Sequence, residues 1–98
     1  MMAVGKWRLT KEDLNNHLAE LGSLLADGFE DALVGYLGRF GQQAPIALYD
    51  ESKCISILME RDGMTQDDAE EFFAVNVIGA WVGEKTPGFV FLLHEDKK

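Results

Sequence analysis

Residues 60–65, Glu60-Arg61-Asp62-Gly63-Met64-Thr65, decide how this chain folds, because they end one helix and begin another with almost no linker. Gly63 suits the left-handed position that follows a helix's last turn, and Met64 can fold back over that turn. Thr65 is an N-cap residue, with Asp68 three positions later. A stop and a start this close force the two helices into a tight pair. Working backward, Asp50 caps the first helix, and Glu51 places negative charge on the positive end of its dipole. Cys54, Ile55, Ile57, Leu58 and Met59 cover about 200° of that helix at roughly 100° per residue, wider than a one-sided stripe. It is therefore expected between a sheet and another helix.

The second helix changes character along its length. Ala69, Phe72 and Phe73 share a face, with Asp67, Asp68, Glu70 and Glu71 elsewhere. From Val75 onward it is apolar nearly all round, through Val77, Ile78, Ala80, Trp81 and Val82, and such a helix needs cover on every side. Gly83 is expected to end it, and Pro87 prevents its continuation. A regular projection puts Asn76 at the centre of the inward face, between Phe72, Phe73 and Ala80. A buried Asn must find partners for its amide. Either it ties the helix to neighbouring backbone, or it is a polar anchor in a pocket near the helix end, with Trp81 and Glu84. On the outward face, Val75, Ile78 and Val82 continue the line of Asp67 and Glu71, with Ala74 and Trp81 alongside. Another element of this chain covers that surface, or another chain does.

The element available for intramolecular cover is N-terminal. Thr10 is an N-cap, Asp13 completes a weaker form of the capping box, and Leu9 and Leu14 occupy the hydrophobic-staple positions. Leu14, Leu18, Leu21 and Leu25 form a narrow apolar stripe. A peripheral helix is expected over 10–27, ending near Asp27-Gly28. Residues 29–49 are ambiguous. Phe29, Leu33, Leu37 and Phe40 fit a helix, but Gly35, Gly38 and Gly41 each cost it about 1 kcal/mol relative to Ala. Alternation of Ala32, Val34 and Tyr36 with Leu33 and Leu37 favours a strand buried on both sides over 31–39. A turn through Gly41-Gln42-Gln43 and a strand over 45–49 follow, with Pro45 tolerated at the strand's start. Gly88 to Leu93 reads as a buried strand, and His94 to Lys98 as a fraying tail. The fold class expected is α+β in one domain: a small antiparallel sheet of two to three strands against a helical hairpin (residues 50–83), with an extra N-terminal helix and a core over 31–93.

Ninety-eight residues, 47% of them hydrophobic, can bury one core, so disorder throughout is excluded. No stretch is apolar enough to span a membrane, and Met1 to Trp7 holds no apolar core of signal-peptide length. A single cysteine, Cys54, fits a reducing compartment, so the cytoplasm is the expected location. Net charge is −8, and residues 50–71 carry −6 of it, eight acidic side chains against Lys53 and Arg61. That balance argues against direct nucleic-acid binding and against anionic membranes. A basic protein partner, mimicry of a nucleic-acid backbone, or a merely solubilising face are the readings left.

No motif brings chemistry. Gly35, Gly38 and Gly41 lack the helix and the Lys-Ser/Thr of a phosphate loop. Residues 27–31 lack the alternating oxygen ligands of a calcium loop. Cys54, His17 and His94 supply three ligands on three elements where zinc needs about four. Cys54 lies in the apolar arc of its helix and reads as a buried, inert thiol. The run Asp67, Asp68, Glu70, Glu71 has a structural reason at a helix N-terminus, and nothing there is desolvated enough to tune a general acid or base. No cofactor or metal is implied, and nothing argues for an enzyme.

The run Tyr49-Asp50, Lys53-Cys54-Ile55, Leu58-Met59, Asp62-Gly63-Met64-Thr65, Glu70, Asn76 to Glu84, and Thr86-Pro87 resembles a group of small uncharacterised proteins of tailed bacteriophages and of bacteria carrying related genes. The similarity covers residues 31–89 and leaves the N-terminal helix outside. It implies a phage setting and supplies no activity, cofactor or catalytic residue. The leading expectation is an accessory protein acting through protein–protein contacts, with a host or phage partner or with itself as a homodimer. Its candidate surface comprises Asp67, Asp68, Glu70, Glu71, Val75, Ile78, Trp81 and Val82. The competing expectations are a small-ligand or catalytic pocket at Asn76 and Glu84, and a nucleic-acid mimic.

Overall fold

Each helix begins on a side chain that takes up backbone N–H groups the helix cannot satisfy itself. In the computed structural model, which describes residues 10–38, 41, 44–80, 83 and 85–93, helix α1 spans Lys11–Glu20 behind Thr10. The Asp13 amide donates to Thr10 Oγ1 at 3.0 Å and the Thr10 amide to the Asp13 carboxylate at 3.4 Å, a complete capping box. The staple residue Leu9 and the tail beyond Leu93 lie outside the described residues. Helix α1 stops about two turns before the Asp27-Gly28 position expected for its end. Gly22, at φ +85°, lets the Ser23 amide reach the Leu18 carbonyl and the Gly22 amide reach that of Ala19. This six-to-one and five-to-two pairing is a Schellman stop, and only glycine holds its left-handed position without strain.

A short 3₁₀ turn, Glu30–Ala32, leads into strand β1, Leu33–Leu37, which pairs antiparallel with β2, Ile46–Asp50. Leu33 opposes Tyr49, but Tyr36 opposes Ala47, so β1 carries one extra residue between Leu33 and Gly35. That bulge overturns the simple alternation. Leu33 and Tyr36, not Leu33 and Leu37, share the face of Tyr49 and Ala47. Leu33 is buried at 1% exposure while Leu37 is 41% exposed. The expected strand buried on both sides is therefore an edge strand with one buried face.

Asp50 is the last residue of β2 and also the cap of helix α2, Glu51–Asp62, accepting from the amides of Ser52 (2.9 Å) and Lys53 (3.4 Å). Gly63 at φ +71° ends α2, and Thr65 caps α3, Gln66–Phe72, by accepting from the Asp68 amide at 3.1 Å. The hairpin turn is as the sequence specifies it. It carries the chain back over the sheet, so strand β3, Gly88–Val90, enters parallel to β2, and the order is β1-β2-β3. The α+β class holds, but the sheet is mixed, because a chain returning through two helices completes a crossover and not a hairpin. Phe91, Leu92 and Leu93 do not extend β3 as a buried strand; Phe91 is 69% and Leu93 85% exposed. The last register pair is Asp50 with Val90, and beyond Asp50 the partner strand has become a helix.

All three helices lie on one side of the sheet around Leu18, Leu33, Tyr49, Cys54, Leu58, Ala69 and Phe73. Phe89 joins them from β3, stacked 5.7 Å from Tyr49 and edge-on to Phe73 at 5.1 Å. Two tethers fix the segment after α1 to β2. Ser23 Oγ donates to the Pro45 carbonyl at 2.6 Å, and the Ala26 amide donates to Tyr49 Oη at 2.9 Å.

Candidate interaction surface

Helix α3 does not continue to Gly83 as a regular helix. After Phe72 the chain widens into a π turn, Phe73–Ile78, and stops at Gly79. Ala69, Phe73 and Val77 recur every four residues, longer than the 3.6-residue α-helical turn, and the wider turn keeps Val77 in line with the core. Ala69 and Phe73 are buried, and Val77 packs half-buried beside them. The extra residue per turn rotates everything downstream by roughly 100° relative to a regular helix. Asn76 is consequently exposed, where the regular projection places it at the centre of the inward face. Phe72 also leaves that face and is 38% exposed.

Among the described residues, no element covers the outward face. Val75 is 65% and Ile78 51% exposed, and Ala74 is exposed beside them. Helix α1 does not cover them, because it packs on β1 and the 3₁₀ turn. A groove of about 420 Å³ follows this face, lined by Met64, Asp68, Glu71, Phe72, Val75 and Asn76. Of the residues singled out from sequence, the groove gathers Asp68, Glu71, Val75 and Asn76, and Ile78 lies exposed one turn beyond Val75. Asp67 is exposed on the same helix. Glu70 points toward the other side, where its carboxylate accepts from Gln66 Nε2 at 3.0 Å. Trp81, Val82 and Glu84 lie outside the described residues. Met64 and Phe72, expected over the hairpin turn and on the inward face, also line the groove. The signal for Phe72 is its spacing from Asp68 and Val75, four and three residues away on one helix face.

Among the described residues, no cation pairs with the acidic side chains of this face. Among the described residues the one salt bridge is Arg61 to Asp62, 2.9 Å, and it lies on the far side of the hairpin turn. Hydrogen bonding to Asp62 holds the Arg61 guanidinium above its ordinary pKa and, reciprocally, the Asp62 carboxyl below its own. Arg61 also donates to the Gly28 carbonyl at 3.0 Å and lies 5.6 Å from the centre of the Phe29 ring. The cation is thus engaged in fastening α2 to the 27–29 turn. Asp68 differs from its counterpart Asp13, which closes the α1 capping box. Among the described residues its carboxylate receives no hydrogen bond and forms no ion pair.

A second cleft, about 340 Å³, opens on the other side of Asn76, between the π turn and the segment after α1. Leu25, Phe29, Val77, Pro87 and Phe89 make it mostly apolar. Cys54 is fully buried, and burial, reinforced by Asp50 and Glu51, pushes its thiol from 9.0 up to about 12. At neutral pH it is a protonated core residue and a poor nucleophile. Among the described residues no three His, Cys, Asp or Glu side chains meet in a way that could hold a metal ion. No described helix is long and apolar enough to cross a membrane. No protein-family model, curated protein or solved structure matches the chain.

Proposed function

We propose that this is a non-enzymatic accessory protein of phage type that works by binding another protein through the outward face of α3 and its π turn. One observation carries the reading: Phe72 and Val75 share one groove at 38% and 65% exposure, Ile78 is 51% exposed beyond Val75, and no described element of the chain lies over them. Contiguous apolar patches of this kind mark contact surfaces, whereas single exposed apolar residues do not. The phage setting rests on the sequence pattern alone.

Tagged protein incubated with host lysate tests the reading, with Val75→Asp and Ile78→Asp as surface variants and Val34→Asp as a control on the sheet edge. A partner retained by the parent and the control, and lost by both surface variants while their circular dichroism is unchanged, supports it. Equal retention by all four proteins overturns it.

A second reading is favoured by the cleft beside Asn76, which falls at the small end of the size range of ligand pockets. On that reading an apolar small molecule enters between Leu25, Val77 and Phe89, and Asn76 at the rim orients it. Asn76→Ala would then abolish ligand-induced thermal stabilisation and leave partner capture intact.

A further inference from the structure

Resting on the reading of this face as a protein-binding surface, we infer that its partner is a basic amphipathic helix, whose apolar residues seat on Phe72, Val75 and Ile78 while its Lys or Arg side chains reach Asp68 and Glu71. Four observations converge on that chemistry. Apolar floor and acidic wall belong to one groove, since Asp68 and Glu71 line it together with Phe72 and Val75. The groove runs along α3 into the π turn, from Asp68 to Asn76, roughly 12 Å at helical rise, a length that seats about two turns of a partner helix.

Third, among the described residues the acidic wall has no counter-charge. Arg61 is committed to Asp62 and Gly28, and the described residues supply no other ion pair. The carboxylate of Asp68 is idle even as a capping partner, although Asp13 in the equivalent position of α1 is not. Fourth, the surrounding field has the same sign, since residues 50–71 carry −6. A field of that sign attracts cationic partners over a distance and repels anionic ones. It also disfavours a second copy of this chain on the same face, because a two-fold contact would set Asp68 and Glu71 of each copy against those of the other.

The test uses the full-length protein and fluorescent peptides about 18 residues long, enough for five helical turns. The first peptide carries Leu on one helical face and Lys elsewhere. The second has the same composition with Leu scattered, the third replaces Leu by Ser, and the fourth replaces Lys by Glu. Anisotropy titrations should show the first binding at least about tenfold tighter than each of the others, a difference of about 1.4 kcal/mol. Asp68→Asn/Glu71→Gln should weaken it about tenfold and flatten its salt dependence, whereas Glu12→Gln/Glu20→Gln, removing equal charge from α1, should weaken it less than about threefold. Val75→Ser/Ile78→Ser should also weaken it about tenfold.

Equal losses from the two charge-neutralised variants would mean attraction to net charge alone and would overturn the inference. So would equally tight binding of the Ser-for-Leu peptide, the behaviour of a nucleic-acid mimic, and so would dimerisation through Ile78. If the Glu-substituted peptide binds as well as the Lys peptide, and both depend on Val75 and Ile78, the basic partner is refuted and the binding face stands. If no peptide binds but a lysate partner is still lost on Ile78→Asp, the inference fails while the proposed function survives.

Discussion

Replacing Tyr49 by Phe removes one oxygen from the core and keeps the ring. Tyr49 is fully buried near the end of β2, its ring tilted against that of Phe89, and its hydroxyl accepts the Ala26 amide at 2.9 Å. In Tyr49→Phe the ring contacts persist, so the cost comes from the half-buried Ala26 N–H, which loses its acceptor. An unsatisfied donor of this kind costs about 1–3 kcal/mol, against about 3–5 kcal/mol for truncating the whole ring in Tyr49→Ala. With a urea slope of about 1.5 kcal/mol per M, a loss of about 1.5 kcal/mol lowers the unfolding midpoint by about 1 M without changing the slope. Hydrogen exchange should accelerate at the Ala26 amide more than at Leu33, on the far side of the bulge. A midpoint within about 0.2 M of the parent would show that the hydroxyl contributes nothing net. A loss as large as that of Tyr49→Ala would show that the ring position itself depends on the bond. The first result refutes the tether, and the second refutes the division of the cost between hydroxyl and ring.

Four further outcomes follow from the same structure. Burial holds the Cys54 thiol at about 12 against 9.0 unfolded and raises Tyr49 as well, so above about pH 9 the unfolded chain sheds protons that the native chain keeps. Stability is therefore full below that pH and declines as pH rises toward 12; Cys54→Ala should flatten the decline in urea midpoints, and an unchanged profile would remove the thiol as its cause. Gly63→Ala meets no neighbouring atom within 4 Å, so its cost should be purely the left-handed backbone, about 1–2 kcal/mol by thermal melts. Asp50→Ala should lose about 1 kcal/mol through its two capped amides, while Asp50→Asn keeps most of it; equal losses would assign Asp50 a role other than capping. Phe73→Ala should cost about 3–5 kcal/mol, but Val75→Asp no more than about 0.5 kcal/mol, and a severe effect at Val75 would mean that something in the chain covers it.

Local chemistry was legible in the sequence wherever a side chain answers a backbone group near it. Thr10, Asp50, Gly63 and Thr65 all do what their residue types and spacing imply. Legibility failed where a period was assumed and the backbone departed from it. One inserted residue in β1 moved Tyr36 inward and Leu37 outward, and one wider turn after Phe72 moved Val77 inward and Asn76 outward. Gly22 was passed over because Leu25 continued the leucine stripe, although the Schellman bonds had already closed the helix. The direction of β3 has no signature in its own residues, since parallel and antiparallel strands alternate alike. The candidate surface was half legible: Val75 is exposed in one groove with Asp68 and Glu71, and Ile78 is exposed beyond it, but Phe72, expected in the core, is part of the groove floor.

The parallel entry of β3 also orders events in time. Tyr49 and Phe89 are neighbours across the sheet, yet both helices of the hairpin lie between them in the chain. The β1–β2 pair and the capped helices close short loops and can form early, whereas the β2–β3 pair must wait for the crossover to be laid down. On the ribosome, the hydrogen-bonding edge of β2 that faces β3 stays open until Val90 has emerged. During that interval the nascent chain presents an unpaired strand beside an exposed Tyr49 ring, and a chaperone or a neighbouring nascent chain would meet it there first.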